Sequence, residues 1–212
     1  MGILKNGLNG HFHGKIDGMV YYTRLDKNVA RKQTKSKEDR SPKQLANMQR
    51  MAITSQFLTP VLEFVNLGFK ADGLKRQKTA YNCVTSEVKL NGLKGVYPDV
   101  SLNFDSIVLS KGRLGIAEGV TFSMVPTGIE FKWAVDPKEQ WPDSTDQVML
   151  LAYFPSTNTT RYVLYGTERS SGMAVLPISS PMQGVEMHLY LSFISADRND
   201  VSNSVYAGSL NL

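Results

Sequence analysis

The sequence predicts a mixed α+β protein with an N-terminal β-hairpin, two or three helices and a long all-β region. Residues 16–34 are rich in β-branched and aromatic side chains, and residues 41–91 carry apolar side chains at helical spacing. From residue 97 the apolar period becomes two, which is typical of strands in a sandwich or barrel. The predicted organisation is a basic β-hairpin arm (1–40), a helical region (41–96) and a β-rich domain (97–212).

The first predicted element is a hairpin. Residues 16–24 (IDGMVYYTR) form its first strand, residues 25–28 its turn and residues 29–34 its second strand. Gly18 interrupts the alternation of the first strand, so we expect a β-bulge at this position.

A helix is predicted to begin at Ser41-Pro42. Ser41 can cap it, Pro42 suits the first helical position, and Gln44 can complete a capping box. The apolar residues that follow fit one helical face: Leu45, Met48, Ala52, Ile53 and Phe57. Pro60 starts a further turn or a kink before a cap at Gly68, and residues 77–91 form another helix with Cys83 on its apolar side.

Short strands separated by turn residues fill the rest of the chain. They are predicted at 100–104, 107–110, 120–125, 128–134, 148–154, 160–166, 173–178, 186–195 and 201–209. The run GIEFKWAV places Trp133 on an early strand, and MHLYLSFISAD places Tyr190 and Phe193 shortly before a turn. With the closing run SNSVYAG, residues 115–212 resemble a fibronectin type III or related immunoglobulin-like domain. The resemblance implies that the β-rich domain (97–212) is an immunoglobulin-like β-sandwich.

A second resemblance covers nearly the whole chain. The runs GKIDGMVYYTR, SPKQLANMQRMAITSQFLTP, LGFK, KGVYPDV and VLSKGRL resemble an uncharacterised domain-of-unknown-function family found mainly in Bacteroidetes-type bacteria. The family brings no established activity, so it implies no catalytic residues. The first third also resembles small phage- or prophage-encoded proteins.

Positive charge is concentrated in the N-terminal quarter of the chain. Residues 1–50 contain eleven Lys/Arg and four Asp/Glu, whereas the whole protein has a net charge of only +5. Such asymmetry favours an anionic partner, either nucleic acid or a membrane surface. The N-terminus lacks the unbroken apolar stretch of a secretory signal, and no apolar run is long enough to span a bilayer, so we expect a cytoplasmic protein without a membrane role.

No residue pattern indicates an active site, a metal site or a cofactor. His11 and His13 lack a third ligand, and the lone thiol Cys83 lies on an apolar helix face far in sequence from His188, which we expect to be exposed on a sheet. The acidic residues of one loop do not match a calcium-binding motif: Asp136, Glu139, Asp143 and Asp146. We therefore expect that the protein is not an enzyme. The alternative is a hydrolase whose active site is formed by residues that are distant in sequence.

The basic arm is the strongest functional candidate. The leading hypothesis is a structural or protein-interaction protein whose hairpin docks on a partner or on another copy, with Trp141 as a further contact residue. The alternative is a nucleic-acid-binding protein, because cationic β-ribbons neutralise phosphates and tyrosines stack on bases. Its binding residues would be Lys15, Tyr22, Arg24, Lys27, Arg31, Lys32, Lys35 and Lys37.

Overall fold

The computed structural model describes residues 13–24, 27–34, 39–136, 143–178 and 185–211. The chain divides into two compact units, residues 1–42 and residues 43–212. The described residues have a mixed α+β fold, with strands at the N-terminus, four helices and several antiparallel sheets.

The first unit contains a three-stranded antiparallel sheet and not the expected two-stranded hairpin. Its strands are β1 (Gly14–Ile16), β2 (Met19–Arg24) and β3 (Lys27–Lys32), in the order β1-β2-β3. The bulge predicted at Gly18 is wrong, because Asp17 and Gly18 form a tight turn with φ angles of 44° and 73°. Two consecutive positive φ angles are the signature of a two-residue hairpin turn of type I′, for which Asp-Gly is a preferred sequence.

The described residues form four helices, whereas the sequence predicted two or three. They are α1 (Pro42–Leu58), α2 (Leu62–Gly68), α3 (Lys70–Arg76) and α4 (Ala80–Asn91). The prediction that a helix begins at Pro42 is confirmed. The missed helix is α3, which ends where Gln77 adopts a left-handed conformation with a φ of 52°. Thr79 then caps α4 by accepting a hydrogen bond from the backbone N–H of Asn82.

Helix α1 does not bury the apolar face that its sequence pattern indicated. Phe57 lies in the core, but Leu45 and Met48 are exposed by 37% and 44%. The fully buried residues of the helix are Thr54, Phe57 and Leu58, which all lie in its C-terminal half. Apolar spacing alone therefore overestimated how much of this helix is covered.

The second unit contains three further antiparallel sheets. A small one pairs β4 (Leu93–Lys94) with β5 (Ser101–Leu102). A three-stranded sheet has the order β10-β7-β6 and a four-stranded sheet the order β12-β11-β8-β9. Their bounds are β6 (Thr121–Val125), β7 (Gly128–Lys132), β8 (Gln147–Phe154), β9 (Thr159–Val163), β10 (Met173–Pro177), β11 (Glu186–Ile194) and β12 (Val205–Asn211).

The four-stranded sheet is covered on both faces. On one face of β8, Leu150 and Phe154 pack in a hydrophobic cluster with residues of the three-stranded sheet. On the other face, Met149 and Leu151 pack in a cluster with residues of the helices. This explains the almost unbroken apolar run QVMLLAYF. A strand that is buried on both faces carries apolar side chains on both, so apolar and polar residues do not alternate along it. The helices therefore form a layer against the sheet, within one compact unit.

The segment 107–110 was predicted to be a strand and is not one. Ile107 and Leu109 are buried in the helical cluster, and the Leu109 N–H donates to Oγ of Ser204 over 2.7 Å. A side-chain hydroxyl thus supplies the acceptor that a neighbouring strand would otherwise provide.

Candidate interaction surface on the N-terminal sheet

Strand register decides which of the predicted binding residues share a surface. In β1-β2-β3, Lys15 lies opposite Val20, which lies opposite Arg31. Further along, Tyr22 lies opposite Val29 and Arg24 opposite Lys27. Directly opposed residues project to the same side of a sheet, and so do residues two apart along one strand. These pairs therefore form one surface, which we call the basic face: Lys15, Val20, Tyr22, Arg24, Lys27, Val29 and Arg31.

The cations stand at the two ends of the basic face. Lys15 and Arg31 lie two strands apart, at a backbone separation of about 10 Å, since adjacent strands are about 4.8 Å apart. Arg24 and Lys27 lie about 13 Å further along the strands, four residues from the first pair. Tyr22 and Val29 lie between the two ends, and Val20 lies between Lys15 and Arg31 in the first row. All three side chains are half-buried.

All four cations of the basic face are exposed. The acidic residue among the described residues of the sheet is Asp17, which lies in the turn and not on a strand. The surface therefore combines strong positive charge with a narrow apolar centre.

Of the eight residues predicted from the sequence, five lie on the basic face: Lys15, Tyr22, Arg24, Lys27 and Arg31. Lys32 points to the opposite side, because it lies opposite Met19 and not opposite Val20. Lys35, Lys37 and the predicted contact residue Trp141 lie outside the described residues. The hydrophobic residues Val20 and Val29, which complete the surface, were not singled out because only charge and aromatic character were considered.

Within the part of the chain that the structure describes, the other candidate residues do not form a metal site. Cys83 is buried as expected, and burial raises the pKa of its thiol. Within the described residues, no group of three His, Cys, Asp or Glu side chains is placed to hold a metal ion. His13 is exposed, Asp146 is buried, and His11 and Glu139 lie outside the described residues.

The expectation that His188 is exposed is wrong. The residue lies on β11, between two other strands of the four-stranded sheet, and only 6% of it is exposed. Its ring stacks on Phe104, and burial lowers the pKa of the imidazole. Strand alternation could not reveal this burial, because the covering Phe104 comes from a segment more than eighty residues earlier.

No helix of the described chain has both the length and the apolar character needed to cross a membrane.

Comparison with known proteins places the chain in a family without assigned activity. No curated protein and no solved structure matches it. A family model described as a family of unknown function, DUF6266, matches residues 12–208 and so includes both the N-terminal sheet and nearly all of the second unit. The chain belongs to this family of unknown function.

Proposed function

We propose that this protein is a non-enzymatic interaction protein that docks on a partner protein through the basic face of its N-terminal sheet. The observation that carries the proposal is the arrangement of four cations around Val20, Tyr22 and Val29 on one side of the sheet.

The layout of the basic face resembles the centre and rim of a protein interface. Energetically important contacts are commonly an aromatic residue in an apolar centre, surrounded by residues that exclude water. Tyr22 occupies that centre, with Val20 and Val29 beside it. The cations at both ends form a polar rim, in which charges steer association more than they add affinity.

The chemistry of the partner follows from this layout. A complementary surface has an apolar pocket for Tyr22 with carboxylates on two sides of it, about 13 Å apart along the strand direction. A uniformly acidic surface without a pocket would use the cations and leave the apolar centre uncovered.

Nucleic acid is the second candidate, and the four cations on one face favour it. Four phosphate contacts would give a slope of about −3.6 in a plot of log K against log salt concentration. Tyr22 would then stack on a base. The two proposals differ in the ligand that should bind more tightly at physiological salt.

The test uses fluorescence anisotropy of the full chain with two labelled probes. One is a synthetic peptide with a central apolar segment flanked by Glu residues about 13 Å apart when the peptide is extended, and the other is duplex DNA of about two helical turns. The protein proposal expects the peptide to bind at least about tenfold more tightly than DNA at about 150 mM salt. Tighter binding of DNA would replace it with the nucleic-acid proposal, and binding of neither probe would overturn both.

Matched charge reversals show whether the basic face is the surface used. Arg31→Glu should weaken peptide binding by about tenfold or more, because a rim cation becomes an anion beside carboxylates. Lys32→Glu is the control, since it makes the same charge change one residue away on the other side of β3. Equal losses in the two variants would contradict a face-specific site.

We also propose that residues 121–211 form an immunoglobulin-like sandwich of the fibronectin type III kind. Seven strands divided as β10-β7-β6 and β12-β11-β8-β9 support it, since that fold divides its strands in the same way. Trp133, buried directly after β7, packs edge-on against Phe193 of the other sheet, with ring centroids 5.6 Å apart. The helical layer on the four-stranded sheet would be an addition to that fold. A Bacteroidetes-type origin and a cytoplasmic location remain predictions from the sequence.

A further inference from the structure

Strand β3 forms one edge of the N-terminal sheet. Among the described residues it pairs with β2 and with no other strand. Every second residue of such an edge strand directs its backbone N–H and C=O groups away from the sheet. A row of these groups can pair with an added strand from another molecule.

One backbone hydrogen bond shows which residues of β3 carry the outward groups. The Gln33 N–H donates to the backbone oxygen of Gly18 over 2.7 Å, so these two residues form a hydrogen-bonded pair. Hydrogen-bonded and non-hydrogen-bonded pairs alternate along an antiparallel ladder. Arg31 is therefore bonded to β2, whereas Ala30 and Lys32 on either side of it direct their backbone groups outward. Both of these residues are exposed.

We propose that the partner protein binds through an extended acidic segment, which adds to the sheet as an antiparallel strand beside β3. This inference rests on the proposed function, because it specifies how the partner contacts the basic face. The backbone groups of Ala30 and Lys32 supply main-chain hydrogen bonds, which give affinity in this mode of recognition. The side chains of the basic face select the sequence of the added strand.

The charge of β3 determines which kind of strand can be added. The strand carries three cations, Lys27, Arg31 and Lys32, and no acidic residue. All three cations are exposed. Pairing of two β3 edges would bring like charges together, which destabilises a sheet. An acidic strand neutralises the same charges, so a segment of an acidic partner is favoured over a second copy of this chain.

The register of the added strand predicts its sequence pattern. Its residues directly opposite Lys27, Val29 and Arg31 project to the same side as the basic face. They form the non-hydrogen-bonded pairs of the new ladder, in which opposed Cα atoms are only about 4.5 Å apart. The partner segment should therefore place carboxylates opposite Lys27 and Arg31, about 13 Å apart, and an apolar residue opposite Val29.

Backbone methylation of a peptide tests whether the segment adds as a strand. The probe is a labelled acetyl-Thr-Glu-Thr-Val-Thr-Glu-Thr-amide, and fluorescence anisotropy measures its affinity for the full chain. N-methylation of the two Thr residues that flank the first Glu removes the donors opposite Lys32 and Ala30. It should weaken binding by about tenfold or more.

The matched control carries the same number of methyl groups on the other side of the peptide backbone. N-methylation of the first Glu and of Val modifies amides that face away from β3 in an antiparallel ladder. This control should change the affinity by less than about twofold, which corresponds to a few tenths of a kcal/mol.

Amide hydrogen exchange of the full chain gives a second readout. The Ala30 N–H lacks a strand to bond to in the free sheet, so saturating unmodified peptide should slow its exchange by about tenfold or more. The Arg31 N–H already bonds to β2 and should show a smaller change.

The outcomes separate this inference from the proposed function. Binding of the unmodified peptide with equal losses from the two methylation patterns, or with unchanged exchange at Ala30, would overturn strand addition and retain docking on the basic face. A greater loss from the control pattern would also overturn an antiparallel strand. Failure of the unmodified peptide to bind would overturn both proposals.

Discussion

Nδ1 of His188 lies 2.9 Å from the hydroxyl oxygen of Tyr206, and the imidazole stacks on Phe104 with ring centroids 3.6 Å apart. Phe104 also accepts a hydrogen bond at its backbone oxygen from the hydroxyl of Tyr190, over 2.9 Å. The His188 ring therefore lies between the four-stranded sheet and the segment that follows the helices, where a positive charge on it would be buried.

Acidification should destabilise the protein through His188. Burial lowers the pKa of this imidazole, while the carboxylates of Glu186 and Asp105 oppose that effect more weakly. The unfolded chain therefore binds the proton more readily, so stability is full above the unfolded pKa of about 6.5 and falls as the pH drops below it. The loss is at most about 1.4 kcal/mol per pH unit.

Denaturant unfolding between about pH 7.5 and pH 5 measures this effect. His188→Phe keeps a ring for Phe104 to stack on and should reduce the slope of unfolding free energy against pH. An unchanged slope in His188→Phe would assign the pH dependence to other groups.

A buried hydroxyl network should contribute measurably to stability. Oγ of Ser110 lies 2.7 Å from Oγ of Ser192, and Oγ of Ser202 accepts the Phe193 N–H over 2.9 Å. Ser202→Ala leaves that buried N–H without its acceptor, which costs about 1–3 kcal/mol. For a protein of this size, thermal unfolding should shift down by about 2–4 °C per kcal/mol.

Ser123→Ala, at an exposed position of β6, is the comparison for the same chemical change. It should alter the free energy of unfolding by no more than about 0.5 kcal/mol. A loss in Ser202→Ala that is no greater than in this variant would show that the network adds nothing to stability.

Two leucines of α1 should respond very differently to truncation. Leu58 is fully buried in the helical cluster, so Leu58→Ala should cost about 2–5 kcal/mol. Leu45→Ala on the exposed half of the same helix should cost no more than about 0.5 kcal/mol. Chemical denaturation of both variants provides the measurement, and similar losses would mean that the N-terminal half of α1 is covered.

The turn between β1 and β2 should tolerate Asn in place of Asp17 but not Ala in place of Gly18. Gly18 has a φ of 73°, where an alanine costs about 1–2 kcal/mol. Gly18→Ala should therefore speed amide hydrogen exchange in β1 and β2, while Asp17→Asn should preserve protection because Asn also accepts positive φ angles. Unchanged exchange in Gly18→Ala would contradict the positive-φ turn.

Much of the local structure could be predicted because its determinants are close in sequence. Ser41-Pro42 marked the start of α1, and alternation with turn residues located most strands of the second unit. Asp17-Gly18 is also a local signal. A two-residue turn there, in place of the bulge expected at Gly18, requires β1 and places Lys15 on the same side as Arg31.

Long-range packing accounts for the other differences. Leu45 and Met48 fit the same helical pattern as Phe57, and nothing within α1 reveals which end of the helix the four-stranded sheet covers. His188 likewise alternates as an exposed residue would, until Phe104 covers it.

By itself, the sequence determined the class of fold, the identity of most elements and the concentration of cations at the N-terminus, because charge and apolar period are local properties. Only the tertiary structure decided which cations share a face with Tyr22, and why Lys32 does not. The same holds for the two-sided burial of β8 and for the environment of His188. Strand register and layer packing join residues that are far apart in the chain, so the functional surface exists only once the sheet has formed.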